Sequence, residues 1–332
     1  MIRVAPRLLR VAETSAEVTA PPKRSRQLLR AAFLVVALVL IVLWVNRHAT
    51  QLGDAFQRTG TLAILESAAA TLAGLGASAF CWRALLAALG SPMPVRLSLH
   101  VFFVGQIGKY LPGNVFAVAA QAELARDHGV PRSRIVTAGL VFLGVLTATG
   151  LLVAVAVLPF ASPDVLQQYW WALLALPVGL VLLAPPVLDR LIRFGLKALR
   201  RPVPDPLDGR QVLISIGWAL VMWAFYGVHL IPLVLAQPHD SGKNLLLVST
   251  GGYALAWTAG FLFVIAPAGA GVREAILVLA LAGIAKQPEA TAVALLSRGV
   301  QTLGDVVWAA VGFGLKQTPE RDVAAASEPP AV

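Results

Sequence analysis

Apolar residues fall into long blocks separated by short polar joints. The blocks are Leu28–Val45, Leu62–Leu89, Ile135–Pro159, Tyr169–Ala184, Val212–Leu235, Leu245–Ala266 and Ala290–Leu315. A helix needs roughly 20 apolar residues to cross a hydrocarbon core of ~30 Å. Every block except the fourth is near that length, and the fourth reaches it only by beginning near Val165. The alternating pattern of a barrel is absent. Two further pieces, Leu97–Arg126 and Pro267–Ala285, are apolar but interrupted. The pattern predicts an all-α, polytopic membrane helix bundle. It would have about seven to eight spanning helices and one or two re-entrant, Pro/Gly-broken helical segments.

Charge gives the blocks a direction. Arg3, Arg7, Arg10, Lys23, Arg24, Arg26 and Arg30 lie at the start of the chain, and Arg190, Arg193, Lys197, Arg200, Arg201 and Arg210 between the fourth and fifth blocks. Arg96, Lys109, Arg126, Arg132 and Arg134 fall in and around the first interrupted piece, whereas the joint 160–168 has no Lys or Arg. Basic residues stay on the cytoplasmic side, so a multi-pass protein of the plasma (inner) membrane with a cytoplasmic N-terminus is expected. Residues 1–27 read as a disordered basic tail, 28–315 as the transmembrane domain and 316–332 as a second disordered tail. The first interrupted piece then starts and ends inside the cell, as a cytoplasmic hairpin or a re-entrant pair. The second either spans or re-enters, and the side of the C-terminus depends on which.

Composition agrees: 58% of residues are hydrophobic and 13% charged, about half the charge of a soluble chain. The net charge of +10 is explained by the basic joints, so nucleic acid is not an expected partner. Cys81 is the sole cysteine and the five histidines are scattered, so neither a disulfide nor a metal site is expected. "GQIGKY" lacks P-loop spacing and "GAGVRE" lacks the third glycine of a dinucleotide site. No catalytic residue and no cofactor are expected, and the chain is read as a non-enzyme.

The interrupted pieces carry the candidate chemistry. Gly108, Pro112 and Gly113 break the first, with Asn114 placed to cap the helical piece Val115–Arg126; Pro267, Gly269 and Gly271 break the second. A charge in mid-bilayer costs roughly 2.5–3.5 kcal/mol on insertion scales, so charges beside such breaks need water or a partner. Lys109, Tyr110, Asn114, Glu123, Arg126, Arg273, Glu274, Arg298 and Asp305 form the candidate binding set, with Lys109, Arg126 and Arg273 expected around one cavity. Arg298 and Asp305, seven apart, share a helix face. The competing interpretation makes these charges interhelical ion pairs. For Glu66 and Arg83, nearer the block ends, snorkelling is a further alternative.

"GKYLPGNV" with Glu123 and Arg126 behind it, and "PAGAGVREA" later, resemble the lysylphosphatidylglycerol synthase transmembrane-region family. The resemblance spans roughly Leu28–Leu315 and implies a flippase-like membrane domain. In that family this region is implicated in moving an aminoacylated phospholipid between leaflets. The soluble aminoacyl-transferring domain of the full-length synthases has no counterpart after Leu315. The resemblance implies membrane lipid as the partner: an anionic phospholipid or a lipid-linked head group. Two alternatives stay open: an accessory partner of a glycosyltransferase or lipid-synthesis enzyme, and a membrane-embedded transferase.

Overall fold

The computed structural model describes residues 39, 43, 46, 56–110, 116–126, 128–161, 163–198, 206–240, 244–263 and 269–316. Among these residues the regular structure is helical. Both tails, most of the first apolar block, and the break residues Pro112, Gly113, Asn114 and Pro267 lie outside the described residues.

The helices are α1 (Thr61–Ala88), α2 (Val95–Gln106), α3 (Phe116–Arg126), α4 (Arg132–Val157), α5 (Pro163–Tyr169), α6 (Ala175–Leu183), α7 (Pro185–Ala198), α8 (Gly209–Val228), α9 (Leu230–Leu235), α10 (Leu245–Leu262), α11 (Val272–Leu281) and α12 (Gln287–Gly314). Five stretches are long and apolar enough to cross a membrane: Thr61–Ala88, Arg132–Ala161, Leu166–Leu183, Gly209–Leu235 and Leu245–Leu262. The fourth block thus gains its length by starting before Tyr169. At 28 residues α12 matches α1 in length, about 42 Å. It falls outside the five because Arg298, Gln301, Thr302 and Asp305 interrupt its apolar run.

Contacts between chain segments fix the two ends of the bundle. Asp208 N–H donates to Ala88 O at 3.2 Å and Arg134 to Gly90 O at 2.7 Å, so α8 and α4 begin where α1 ends. At the far end, Gln237 donates to Thr59 Oγ1 at 3.0 Å and Asn244 N–H to Ala161 O at 3.2 Å. These are called the Ala88 end and the Asp240 end.

Two hairpins enter from opposite ends. α2 starts at the Ala88 end, where Arg83 Nε donates to Met93 O at 2.9 Å. A 3₁₀ turn, Ile107–Tyr110, comes after it, and α3 returns to the Ala88 end, where Arg132 engages Glu123. Inside this pair Gly105 is required by proximity: a Cβ there would lie 2.4 Å from Gln121 Cγ and 3.1 Å from Gln121 N. α10 and α11 form the reverse hairpin. Asp240 N–H donates to Ile284 O at 2.8 Å, so α11 returns to the end from which α10 set out. α12 then runs back to the Ala88 end, where His100 Nδ1 meets Gly312 O at 2.8 Å.

The core is packed by rings and small residues. Phe103 stacks on Trp308 at 4.4 Å, and Phe102 meets Phe142 edge-on at 5.5 Å. Trp223, buried, donates to Thr149 Oγ1 at 3.0 Å. Glycines on the facing surfaces, such as Gly74 against the Tyr226 ring, let helices approach closely where lipid offers little driving force for association.

Part of the charged joint after the fourth block is helical. Residues 185–198 form α7. Pro185 and Pro186 are tolerated in a first turn, where no intrahelical N–H is needed, and Leu188, Leu191, Ile192 and Leu196 recur with helical period.

Candidate functional site

Lys109 and Tyr110 of the first hairpin and Arg273 and Glu274 of the second meet the middle of α12. On that helix Arg298, Gln301, Thr302 and Asp305 recur at i, i+3, i+4 and i+7, one face of a helix, and all four are buried. They close a chamber of about 100 Å³ with Gln106, Lys109 and Tyr110 from the first hairpin, Gly269 and Arg273 from the second, and Ser78 from α1. At ~30 Å³ per water, it admits a few waters or one compact anion.

Two polar clusters hold the hairpins to α12. Lys109 Nζ lies 2.7 Å from the Asp305 carboxylate, and Tyr110 Oη donates to Asp305 Oδ2 at 2.6 Å. The 3₁₀ turn sets adjacent residues on one carboxylate. On the other side, Arg273 Nη2 and Tyr253 Oη both donate to Gln301 Oε1. The Arg273 guanidinium also sits 4.6 Å from the Tyr253 ring centroid, a cation–π distance. Arg298 is paired with Glu274 at 3.6 Å. Glu274 also accepts the Gly271 N–H at 2.6 Å, so the carboxylate caps α11 and steadies Arg298.

Gly269 and Gly271 shape the start of α11. Both have positive φ, +71° and +87°, which favours glycine. Gly269 is doubly constrained, because a Cβ there would stand 2.9 Å from the Gly260 backbone.

The charged lining thus holds Lys109, Arg273 and Arg298 against a single carboxylate, Asp305. The chamber is net cationic, with the positive end of the α11 dipole at its edge. Its remaining wall is apolar, including Phe142, Met222 and Trp257. Beyond it lies a groove of about 890 Å³ between α4 and α6, lined by residues such as Leu140, Leu151, Leu152, Val178 and Leu182. Leu143 and Phe261 line both spaces.

The candidate residues are divided by this arrangement. Lys109, Tyr110, Arg273, Arg298 and Asp305 line the chamber, and Gly108 belongs to the 3₁₀ turn beside it. Glu274 stands behind Arg298. Glu123 and Arg126 do not line the chamber: Arg126 pairs with Glu123 at 3.7 Å, and Arg132 engages the same carboxylate. The expected trio of Lys109, Arg126 and Arg273 is therefore corrected, with Arg298 in place of Arg126. α3 has 11 residues, about 16 Å of helix, which carries Arg126 away from the break. Arg83 serves the α1–α2 joint, and Glu66 is exposed on α1.

Gln301, Thr302, Tyr253 and Gln106 were missed because uncharged polar residues stand out little in sequence. The signal was available for Gln301 and Thr302, which share a helix face with Arg298 and Asp305. Among the described residues, no three of His, Cys, Asp and Glu group closely enough to hold a metal ion.

No curated protein matches the chain. The family model described as "Lysylphosphatidylglycerol synthase TM region" matches residues 29–309. With most of the chain covered and its long apolar helices accounted for, this is a multi-pass integral membrane protein belonging to the lysylphosphatidylglycerol synthase transmembrane-region family.

Proposed function

We propose that the chain is a lipid translocator that takes an anionic phospholipid, or a lipid-linked anionic head group, and performs no covalent chemistry. The observation that carries this reading is the pairing of a net-cationic chamber with an apolar groove across Leu143 and Phe261. A charged head and a hydrocarbon tail need two such spaces side by side. Lys109, Arg273 and Arg298 would attract phosphate, with Arg273 and Arg298 able to present paired donors to it. Gln301 and Thr302 would complete its hydrogen bonds.

On this reading the Ala88 end is cytoplasmic, because Arg96, Arg126, Arg132, Arg134, Arg190 and Lys197 gather there. The five apolar stretches, α12 and the block Leu28–Val45 make seven membrane helices, of which six cross and α10 pairs with α11 as a hairpin that returns to the side it left. The α2–α3 hairpin re-enters from the cytoplasm, α11 is a half-length return, and the C-terminus is cytoplasmic. Broken backbone at membrane depth is stable where it lines a cavity, and oppositely inserted broken helices are a recurring frame for transport sites. A chamber of about 100 Å³ is too small for a complete head group, so passage requires the Lys109–Asp305 contact to open.

The experiment is reconstitution into vesicles carrying fluorescent phosphatidylglycerol, with dithionite quenching of the outer leaflet, alongside native mass spectrometry of retained lipids. Arg273→Ala and Arg298→Ala should slow exchange and lower anionic-lipid retention by tenfold or so, about 1.4 kcal/mol. Folded variants that exchange and retain lipid like the parent protein would overturn the reading.

A further inference from the structure

α7 separates its polar and apolar residues cleanly. Asp189, Arg190, Arg193 and Lys197 fall within an arc of about 100°. Leu188, Leu191, Ile192 and Phe194 occupy the opposite side. Leu188 packs against the core of the bundle, but Leu191 is 48% and Phe194 75% exposed.

The height of α7 is fixed. The Asp189 carboxylate accepts from Arg193 Nε at 2.7 Å and from Leu207 N–H at 3.1 Å. The next residue, Asp208, donates its N–H to Ala88 O, the last residue of α1. α7 is therefore tied to the level at which a 28-residue span stops. It also continues directly, through Ala184, from α6, whose Val178, Leu180 and Val181 are all near 60% exposed and face lipid in a membrane protein. An exposed Phe beside a lipid-facing helix, with exposed Arg190 and Lys197 on the adjoining arc, is the arrangement of an interfacial helix on an anionic surface.

We propose that α7 is an anionic-phospholipid binding helix lying in the membrane–water boundary at the Ala88 end. Leu191 and Phe194 enter the edge of the hydrocarbon, while Arg190 and Lys197 hold lipid phosphates. Arg193 is committed to Asp189 and keeps the helix in place. This binding requires no lipid to cross the bilayer, so it stands apart from translocation.

The test uses the full chain with Cys81→Ala, in nanodiscs of phosphatidylcholine alone or with phosphatidylglycerol added. A bimane label at Phe194→Cys should be quenched by lipids carrying a shallow doxyl group and shielded from aqueous iodide. In parallel, spin-labelled phosphatidylglycerol should be held in preference to phosphatidylcholine. Arg190→Gln with Lys197→Gln should reduce that preference about fivefold per charge removed, and Arg190→Lys with Lys197→Arg should keep it. Quenching at 194 by iodide rather than doxyl lipid would overturn the proposal, as would shielding from both, which marks a protein partner. An unchanged lipid preference in the double Gln variant would overturn it equally. The translocation assay gives an independent readout, since loss of exchange with α7 binding intact separates the two failures.

Discussion

The Lys109–Asp305 contact joins residues 196 apart in sequence, which makes it suited to a double-mutant cycle. The perturbations are Lys109→Met and Asp305→Asn, singly and together. At 2.7 Å and an effective dielectric near 20, the gross attraction is about 6 kcal/mol. Desolvation takes back most of it, because Asp305 is 7% exposed, while Lys109, at 31%, keeps part of its hydration. The coupling left should be about 1–3 kcal/mol. The singles should be unequal. Asp305→Asn strands Lys109 beside Arg273 and Arg298 and weakens the acceptor of Tyr110, whereas Lys109→Met leaves Asp305 its hydrogen bond from Tyr110. Asp305→Asn should therefore cost more, about 2–4 kcal/mol, and the added Lys109→Met should recover part of it. Unfolding in mixed detergent–SDS micelles, tracked by the fluorescence of the eight tryptophans, gives all four corners. Additivity within about 0.5 kcal/mol would refute a functioning ion pair and the latch built on it.

The remaining expectations concern glycine, packing and topology. Gly269→Ala should destabilise by about 3–5 kcal/mol, because a Cβ would stand 2.9 Å from the Gly260 backbone on top of the strain at φ +71°; Gly271→Ala, with φ +87° but open space, should cost about 1–3 kcal/mol from backbone strain alone. Equal losses in thermal unfolding would refute the close approach. Gly105→Val should spread the α2–α3 hairpin against Gln121 and lower stability by about 1–3 kcal/mol, visible as faster proteolysis near the hairpin. Trp223→Phe should cost about 1–2 kcal/mol through the lost indole hydrogen bond and the space the indole leaves; the Thr149 hydroxyl keeps its bond to Val145 O at 2.7 Å, so Thr149→Val in the same background should cost little more. In a Cys81→Ala background, Asp240→Cys should react with an impermeant maleimide in intact cells and Lys316→Cys only after permeabilisation. The reverse pattern would invert the topology.

The membrane helices were legible because lipid allows few alternatives: α1, α4 and α10 overlie the blocks Leu62–Leu89, Ile135–Pro159 and Leu245–Ala266, starting no more than three residues before them. The importance of Lys109, Arg273, Arg298 and Asp305 was legible for the same reason, as charges in apolar surroundings. Their partners were not. Nothing local to Lys109 points to Asp305, and the match exists only once α12 crosses the hairpin tip. Arg126 was misplaced because nearness to a break in sequence was equated with nearness in space, which a rigid α3 does not respect. The period of α7 was readable, but its basic residues were used only to mark the side of the membrane. Gln301 was overlooked because only its place between Arg298 and Asp305 marks it.

The meeting of α2–α3 with α12 also bears on how the protein is made. During synthesis Lys109 emerges 196 residues before Asp305. Until then its ammonium lacks the Asp305 carboxylate, and on the proposed topology a re-entrant hairpin would have little to hold it at depth. The chamber is therefore a late product of biogenesis. On that topology, the first hairpin would settle at depth only when the final long helix arrives. A chain truncated before Asp305 would expose Lys109 to quality control, and supplying α12 as a separate polypeptide should rescue it.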